Sequence, residues 1–224
     1  MRGPDRLRAA RGLDGVRRRA AILISGRGSN MVALIEAARD PSFPAEIVLV
    51  LSNNPDAEGL ERARAGGVEA RAIDHRAFGR DRAAHEAAID AALKAAKVEI
   101  VCLAGYMRLL TPFLVGAWSG RMLNIHPSLL PAFRGLHTHA RAIEAGAKRH
   151  GCTVHLVTEQ MDEGPILAQA AVPVLAGDSE DSLAGRVLAQ EHRLYPAALA
   201  AFVAGADPMN PLAPWPLPNP SALP

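Results

Sequence analysis

The stretch AAILISGRGSNMVALIEAA, residues 20–38, decides how the first part of this chain folds. Its first five residues are all apolar and suit a buried strand, and a glycine-containing turn follows them. From Met31 onwards the apolar residues recur at helical spacing. The pattern predicts a strand, a tight turn and a helix, in that order.

The predicted turn has the composition of an anion-binding loop. Its two glycines let a ligand approach the backbone, Ser29 or Asn30 can cap the helix, and the N–H groups of a first helical turn attract phosphate. The dinucleotide fingerprint is incomplete, because Met31 takes the place of its third glycine and the next strand, residues 47–51, lacks a terminal acidic residue. The loop favours a mononucleotide-type phosphate site over NAD, with a plain tight turn as the alternative.

Strand and helix patterns continue to alternate along the chain, which implies right-handed crossovers and a parallel sheet. Pro173 indicates an edge strand, and Pro196 is expected to kink or interrupt the last helix. The predicted fold class is α/β: a single domain, residues 20–206, with an open, mostly parallel twisted sheet, a Rossmann-like N-terminal half and helices on both faces. The other predicted strands cover residues 47–51, 69–73, 97–103, 122–125, 151–158 and 166–174, and the other helices cover 57–65, 81–96, 112–118, 141–147 and a segment opening at 178–181.

The two ends of the chain differ in composition from the middle. Seven arginines lie within residues 1–19, which we predict to be a flexible Arg-rich arm, and seven of the 17 prolines lie within residues 207–224, which we predict to be an extended or disordered tail. Without the arm the remaining charge is acidic, which argues against a nucleic-acid partner.

Location is predicted from three features of the sequence. No apolar run approaches the length of about 20 residues that spans a bilayer, so no membrane partner is expected. The arginine-rich start lacks the hydrophobic region of a secretory signal. Cys102 and Cys152 each lie in an apolar run and are expected to be buried, reduced thiols. The chain is therefore expected to be a soluble cytoplasmic protein.

The stretch NIHPSLLPAFRG, residues 124–135, is the main candidate for chemistry. Pro127 ends the preceding strand, so Asn124 and His126 share one face at a strand terminus, where open α/β sheets bind ligands. Asp162 follows another strand predicted to end near Val157. A lone histidine at a strand end is more often structural, so the prediction of function rests on all three side chains together.

An amide, an imidazole and a carboxylate suit acyl transfer to an amine. Asn124 can donate to an oxygen that becomes negative, His126 as imidazolium can stabilise the same oxygen, and Asp162 can move a proton. No serine or cysteine has nucleophile-elbow spacing, so direct transfer is preferred over a covalent enzyme intermediate. His137 and His139 lack companion ligands at a suitable spacing, so no metal is expected.

Five sequence blocks, in order and spacing, resemble the phosphoribosylglycinamide formyltransferases, the folate-dependent enzymes of purine synthesis. The resemblance extends over residues 20–202. It implies transfer of a formyl group from 10-formyltetrahydrofolate, as co-substrate, to the amine of glycinamide ribonucleotide without a metal. The blocks are SGRGSN (25–30), LAGYMR (103–108), NIHPSLLP (124–131), GCTVH (151–155) and DEGPI (162–166).

The resemblance also implies roles for individual residues. The family's catalytic trio corresponds to Asn124, His126 and Asp162. Its substrate-phosphate loop corresponds to Gly28, Ser29 and Asn30, and its ribose-binding carboxylate to Glu191. On the folate side the corresponding residues are Met107, Arg108, Leu109, Asn124 and Thr158. Arg82 corresponds to a folate-side arginine only if the alignment contains a one-residue insertion. Supporting positions are Thr153, expected to hold the carboxylate, and His155. Glu163 stands where a glycine is also common.

Three other functions are compatible with parts of this pattern. Hydrolysis of 10-formyltetrahydrofolate would need only water in place of the amine, although such enzymes usually carry a regulatory domain that residues 1–19 are too short to supply. Formylation of methionyl-tRNA is disfavoured without a C-terminal RNA-binding domain. A non-catalytic folate- or nucleotide-binding module is the alternative outside catalysis. The sequence leaves the oligomeric state open between monomer and homodimer.

Overall fold

A computed structural model describes residues 16–205 of this chain. The predicted tail and residues 1–15 of the predicted arm lie outside that range. The strands are β1 (Arg18–Ile24), β2 (Ala45–Ser52), β3 (Ala70–Ala72), β4 (Ile100–Leu103), β5 (Met122–His126), β6 (Arg149–Leu156) and β7 (Ile166–Pro173). The helices are α1 (Ser29–Ala38), α2 (Glu58–Ala65), α3 (Arg82–Ala95), α4 (Pro112–Ala117), α5 (Thr138–Glu144) and α6 (Glu180–Val203), with a short 3₁₀ helix at His75–Phe78.

The strands form one seven-stranded sheet in the order β3-β2-β1-β4-β5-β6-β7. The first five strands are parallel, and β6 runs antiparallel to both β5 and β7. Alternate residues of β1 belong to two separate apolar clusters, Ile22 to one with α1 and α6 and Leu23 to the other with α3 and α4. The predicted open, mostly parallel sheet with helices on both faces is therefore confirmed, as is the edge position of the strand that ends at Pro173.

The predicted boundary between arm and domain is wrong by two residues. Strand β1 begins at Arg18, whose backbone N–H donates to Pro44 O at 2.8 Å. The Arg18 guanidinium lies 2.5 Å from the Glu99 carboxylate, and Arg19 N donates to that same carboxylate at 3.0 Å. The start of β1 could not be predicted from local sequence, because Glu99, which neutralises Arg18, is distant along the chain.

Two local predictions about helices are also corrected. Neither Ser29 nor Asn30 caps α1: Gly28 is the N-cap residue, with φ of 68°, and no side chain caps the helix. Helix α6 continues through Pro196 without interruption. Proline inside a helix costs about 3 kcal/mol, and here the burial of Tyr195 and Leu199 against the sheet offsets it.

The carboxyl ends of three neighbouring strands bring the predicted functional segments together. Leu23 of β1 is paired with Leu103 of β4, and Leu103 is paired with Asn124 of β5. Strands in a sheet are about 4.8 Å apart, so the loop after β1 lies roughly 10 Å from Asn124. The Tyr195 hydroxyl contacts the backbone carbonyls of Leu103 (3.0 Å) and Leu123 (3.2 Å), which fixes this end of β4 and β5. No helix within residues 16–205 is long and apolar enough to span a bilayer.

Candidate active site

The three predicted catalytic side chains meet beyond the end of β5. Asp162 Oδ2 lies 3.5 Å from His126 Nδ1, and Asp162 Oδ1 lies 3.7 Å from His155 Nε2. Antiparallel pairing places His155 of β6 directly opposite Asn124 of β5. An amide, two imidazoles and a carboxylate therefore share one end of the sheet, and all but Asn124 have side chains at most one-tenth exposed.

Backbone carbonyls fix which nitrogen of each imidazole carries a proton. His126 Nε2 is 3.0 Å from Phe133 O, and a carbonyl can only accept, so Nε2 is protonated and Nδ1 faces Asp162. His155 Nδ1 likewise donates to Leu156 O at 2.9 Å. Burial lowers the pKa of His155, which favours its neutral form with a free lone pair on Nε2.

The His155 lone pair orients Asn124. Asn124 Nδ2 lies 3.1 Å from His155 Nε2, which accepts one of the two amide protons. The second proton of the amide remains available for another acceptor. Asn124 is thus held as a hydrogen-bond donor, which is the role that stabilisation of an oxyanion requires.

Asp162 is fixed by the segment that follows Phe133. Gly135 N donates to Asp162 Oδ2 at 2.9 Å, and Arg134 Nη1 contacts the carboxylate of Glu163 at 2.5 Å. Asp162 itself has φ of 56°, a left-handed conformation that a non-glycine residue keeps only when its surroundings enforce it. The β6–β7 loop is therefore tied to the β5–α5 loop at two consecutive residues.

Thr153 does not support the carboxylate, which corrects its predicted role. Its hydroxyl donates to Ser128 O at 2.6 Å and accepts from Leu130 N at 3.0 Å. Gln169 Nε2 donates to the same hydroxyl at 2.9 Å. The chain folds back over β6 after Pro127, so this loop takes the Thr153 hydroxyl, and of the two predicted supporting residues His155 is the one that lies near Asp162.

The predicted phosphate loop borders a cleft of about 260 Å³. Gly28 and Ser29 lead into α1, whose first N–H groups have no side-chain cap. Asn30 Nδ2 donates to Glu191 Oε2 at 2.6 Å, and among the described residues the buried Asn30 Oδ1 has no partner. Burial raises the pKa of Glu191, and the Asn30 hydrogen bond opposes that rise. The cleft is lined by Ser25, Gly26, Arg27, Gly28, Ser29, Asn30, Ala104, Gly105 and Met107.

The predicted folate segment adjoins this cleft. Met107 and Leu109 are 66% and 60% exposed, and Met107 N donates to Ser25 Oγ at 2.8 Å. Arg108 and Thr158 are half-buried. The outward-facing apolar side chains leave an apolar surface beside the loop that carries the phosphate-binding features.

The structure does not connect Arg82 to the folate segment. Arg82 is exposed at the first turn of α3, and within residues 16–205 its side chain makes no hydrogen bond to residues 107–109.

His137 adopts φ of 56° as the N-cap residue of α5, and His139 Nδ1 lies 3.1 Å from His150 Nε2. In the described part of the chain no group of three or more His, Cys, Asp or Glu side chains is arranged to hold a metal ion.

Three site residues were missed by the sequence reasoning. Phe133 and Gly135 contribute backbone atoms, which no side-chain pattern reveals. Ser25 binds the folate segment through its hydroxyl and donates to Asn53 Oδ1 at 2.5 Å. Its position between a strand and the first glycine of the turn was a usable signal, since a short hydroxyl side chain there can bond to neighbouring backbone.

Comparison with known proteins shows the family of this chain. The formyl transferase family profile matches residues 18–199. The phosphoribosylglycinamide formyltransferase of Escherichia coli (strain K12) is 44% identical over 194 residues, which cover 87% of this chain and 91% of that protein. A crystal structure of phosphoribosylglycinamide formyltransferase from Brucella melitensis is 60% identical, with a TM-score of 0.81, and covers 84% of this chain and 96% of that one.

A longer relative contains the same domain. The trifunctional purine biosynthetic protein adenosine-3 of Drosophila melanogaster is 49% identical over 197 residues, 87% of this chain, but the chain spans only 14% of that protein's length. The profile, the relatives and the solved structure each match most of this chain. The chain belongs to the formyl transferase family, among its phosphoribosylglycinamide formyltransferases.

Proposed function

We propose that this chain transfers the formyl group of 10-formyltetrahydrofolate to the amine of glycinamide ribonucleotide, giving the N-formyl product and tetrahydrofolate. The single observation that carries the proposal is the approach of the Asp162 carboxylate to His126 Nδ1, 3.5 Å, beside the Asn124 amide. The family membership supplies the substrates, and this geometry supplies the acid–base and oxyanion groups that transfer to an amine requires.

The catalytic roles follow from the free atoms of each side chain. Asn124 uses one amide proton for His155 and offers the other to the formyl oxygen as it becomes negative. His126 as imidazolium stabilises the same oxygen through its positive charge, while Phe133 O holds Nε2–H. Asp162 stabilises that imidazolium and takes the proton released by the attacking amine, which then passes to the departing folate nitrogen.

Substrate placement follows from the two surfaces beside this centre. The start of α1, with Gly28, Ser29 and Asn30, suits the substrate phosphate, since its N–H groups are uncapped. The Glu191 carboxylate can accept hydrogen bonds from two ribose hydroxyls. The folate-side residues are Met107, Arg108, Leu109 and Thr158. Arg82 stays a proposed folate contact without support from the structure.

One assay separates this function from its rivals. The purified chain is mixed with 10-formyltetrahydrofolate, and the absorbance of the folate product is followed with and without glycinamide ribonucleotide. Product formation that depends on the amine is expected. Equal rates without the amine would identify a hydrolase, and no product in either sample would identify a binding module, so either result would overturn the proposal.

We also propose a cellular location and an oligomeric state for this chain. The buried free thiols of Cys102 and Cys152 support a reducing, cytoplasmic location. A monomer or homodimer is proposed for the assembly, because one chain carries every group assigned above. Light scattering after gel filtration gives the molar mass directly, and a trimer or larger assembly would contradict this.

A further inference from the structure

The residue that accepts the Nε2 proton of His126 has an unfavourable backbone conformation. Phe133 has φ of 54°. The left-handed region crowds any side chain, and phenylalanine lacks the short polar group with which asparagine or aspartate compensates. Such a conformation persists only where the surrounding contacts enforce it. The contacts of Phe133 therefore determine where its carbonyl points.

That carbonyl sets the orientation of the proposed catalytic imidazole. His126 Nε2 lies 3.0 Å from Phe133 O, and this leaves Nδ1 for Asp162 and the reacting group. If the peptide after Phe133 rotated, His126 would lose the acceptor that fixes its ring. An imidazole that can turn about its side-chain bonds presents Nδ1 to the substrate for only part of the time.

Two polar side chains contact the Phe133 ring, which also packs against the apolar cluster that contains Ile22. The His150 ring meets it edge to face, with centroids 5.8 Å apart and an angle of 75°, and the Arg141 guanidinium lies 5.7 Å from its centroid. His150 is fully buried in β6, whereas Arg141 is exposed on α5. The buried contact is the more constant of the two, because water does not compete with it.

His150 is itself held on its other side. Its Nε2 shares a hydrogen bond with His139 Nδ1 at 3.1 Å, and the two rings are nearly perpendicular. Burial lowers the pKa of His150 to about 4 and also lowers the pKa of His139, although Glu180 opposes the second shift. Both rings are therefore neutral near pH 7, so no charge repulsion separates them.

We propose that His150 is a positioning residue for His126, acting through the ring and the carbonyl of Phe133. The inference rests on the proposed function, because it assigns His126 to the formyl transfer. His150 does not contact the reacting atoms. It fixes a strained residue, and that residue fixes the orientation of the catalytic imidazole.

The test is a double-mutant cycle on the full chain. His150→Ala and Phe133→Ala are each expected to lower kcat by about 10- to 100-fold while KM for both substrates changes little, because misorientation of a catalytic group slows the chemical step. The double variant is expected to be no slower than the slower single variant, since both act through one carbonyl. Wild-type kcat in His150→Ala, or multiplied losses in the double variant, would overturn the proposal.

His85 provides a matched control. It is also buried, donates to a backbone carbonyl (Ile73 O, 2.8 Å) and meets a phenylalanine edge to face at 5.3 Å. His85→Ala is expected to lose stability and keep kcat. An equal loss of kcat in His85→Ala would show that any buried histidine has this effect, and would refute a specific role for His150.

A spectroscopic readout works without substrate and so separates this inference from the proposed function. The ring N–H resonances of His126 are recorded by ¹⁵N NMR and assigned with His126→Gln. In the wild type a slowly exchanging Nε2 proton is expected, and it is expected to be lost in Phe133→Ala and, where it folds, in His150→Ala. An unchanged Nε2 proton in Phe133→Ala would overturn the inference even if the enzyme assay gave no product at all.

Discussion

Asp162 Oδ2 lies 3.5 Å from His126 Nδ1, where His126 is the last residue of β5 and Asp162 lies in the loop between β6 and β7. The same carboxylate oxygen accepts a hydrogen bond from Gly135 N at 2.9 Å. One carboxylate therefore links the proposed catalytic imidazole to the segment whose carbonyl holds that imidazole. The charge of Asp162 and its position contribute separately to catalysis. Replacement by asparagine removes the charge and keeps the shape of the side chain.

Asp162→Asn is expected to lower kcat by about 10²–10³-fold, with KM for glycinamide ribonucleotide largely unchanged. The amide oxygen can still accept from Gly135 N, but it cannot take the amine proton or stabilise imidazolium. His126→Ala is expected to lose the same order of turnover. Steady-state kinetics with both substrates varied measures the two constants. Asp178→Asn serves as the control, because it removes the negative charge beside Arg186 away from the site. Normal turnover in Asp162→Asn would show that the Asp162 carboxylate takes no part in the chemistry.

Glu191→Gln is expected to raise KM for glycinamide ribonucleotide by about tenfold, with little change in KM for the folate. The amide can accept from Asn30 but lacks the charge that strengthens hydrogen bonds from ribose hydroxyls. Because burial raises the pKa of Glu191, wild-type KM for this substrate is also expected to increase as the pH falls. Kinetics across the acid range compare the two enzymes, and a pH-independent KM in the wild type would contradict the assignment.

Sequence patterns predicted the proposed catalytic trio because its members lie at or after strand ends. Asn124 and His126 alternate at the end of β5, which a proline follows, and this places both at the carboxyl ends of the strands, where ligands bind. The approach of Asp162 to His126 was harder to predict from the sequence. It depends on a left-handed backbone conformation at a residue that is not glycine, and local sequence does not encode that conformation.

The features that sequence reasoning missed depend on long-range contacts. The predicted role of Thr153 was wrong because the loop after β5 folds back onto its hydroxyl. Strand β1 begins at Arg18 because Glu99, far along the chain, offers a carboxylate to it. Pro196 was expected to disturb α6, and burial of the residues around it against the sheet outweighs that local cost. In each case tertiary contact overrides local preference.

Gly164→Ala is expected to lower the free energy of unfolding by about 1–3 kcal/mol and to reduce kcat. A Cβ at residue 164 would lie 1.7 Å from Leu156 O, so the loop that carries Asp162 must shift. Gly185→Ala is the control, because a Cβ there meets nothing within 4 Å and alanine favours helix α6. Denaturant unfolding measures the stability of both variants, and steady-state kinetics measures their kcat. Equal stability of Gly164→Ala and wild type would mean that the loop accommodates a side chain.

Protein stability is expected to fall as the pH decreases from 6.5 towards 4, in part because of His150. Burial holds the folded pKa of this residue at about 4, below its ordinary value of 6.5, so between these values the unfolded chain binds more protons than the folded chain. Stability therefore rises with pH across this window, by at most about 1.4 kcal/mol per pH unit for one group. His150→Phe keeps a ring beside Phe133 but cannot take a proton, and it is expected to flatten the slope without abolishing it, since burial lowers the pKa of His155 as well. Urea unfolding of both proteins at a series of pH values measures the slopes. Parallel curves for the two proteins would show that His150 is either not buried in its neutral form or not titrating on unfolding.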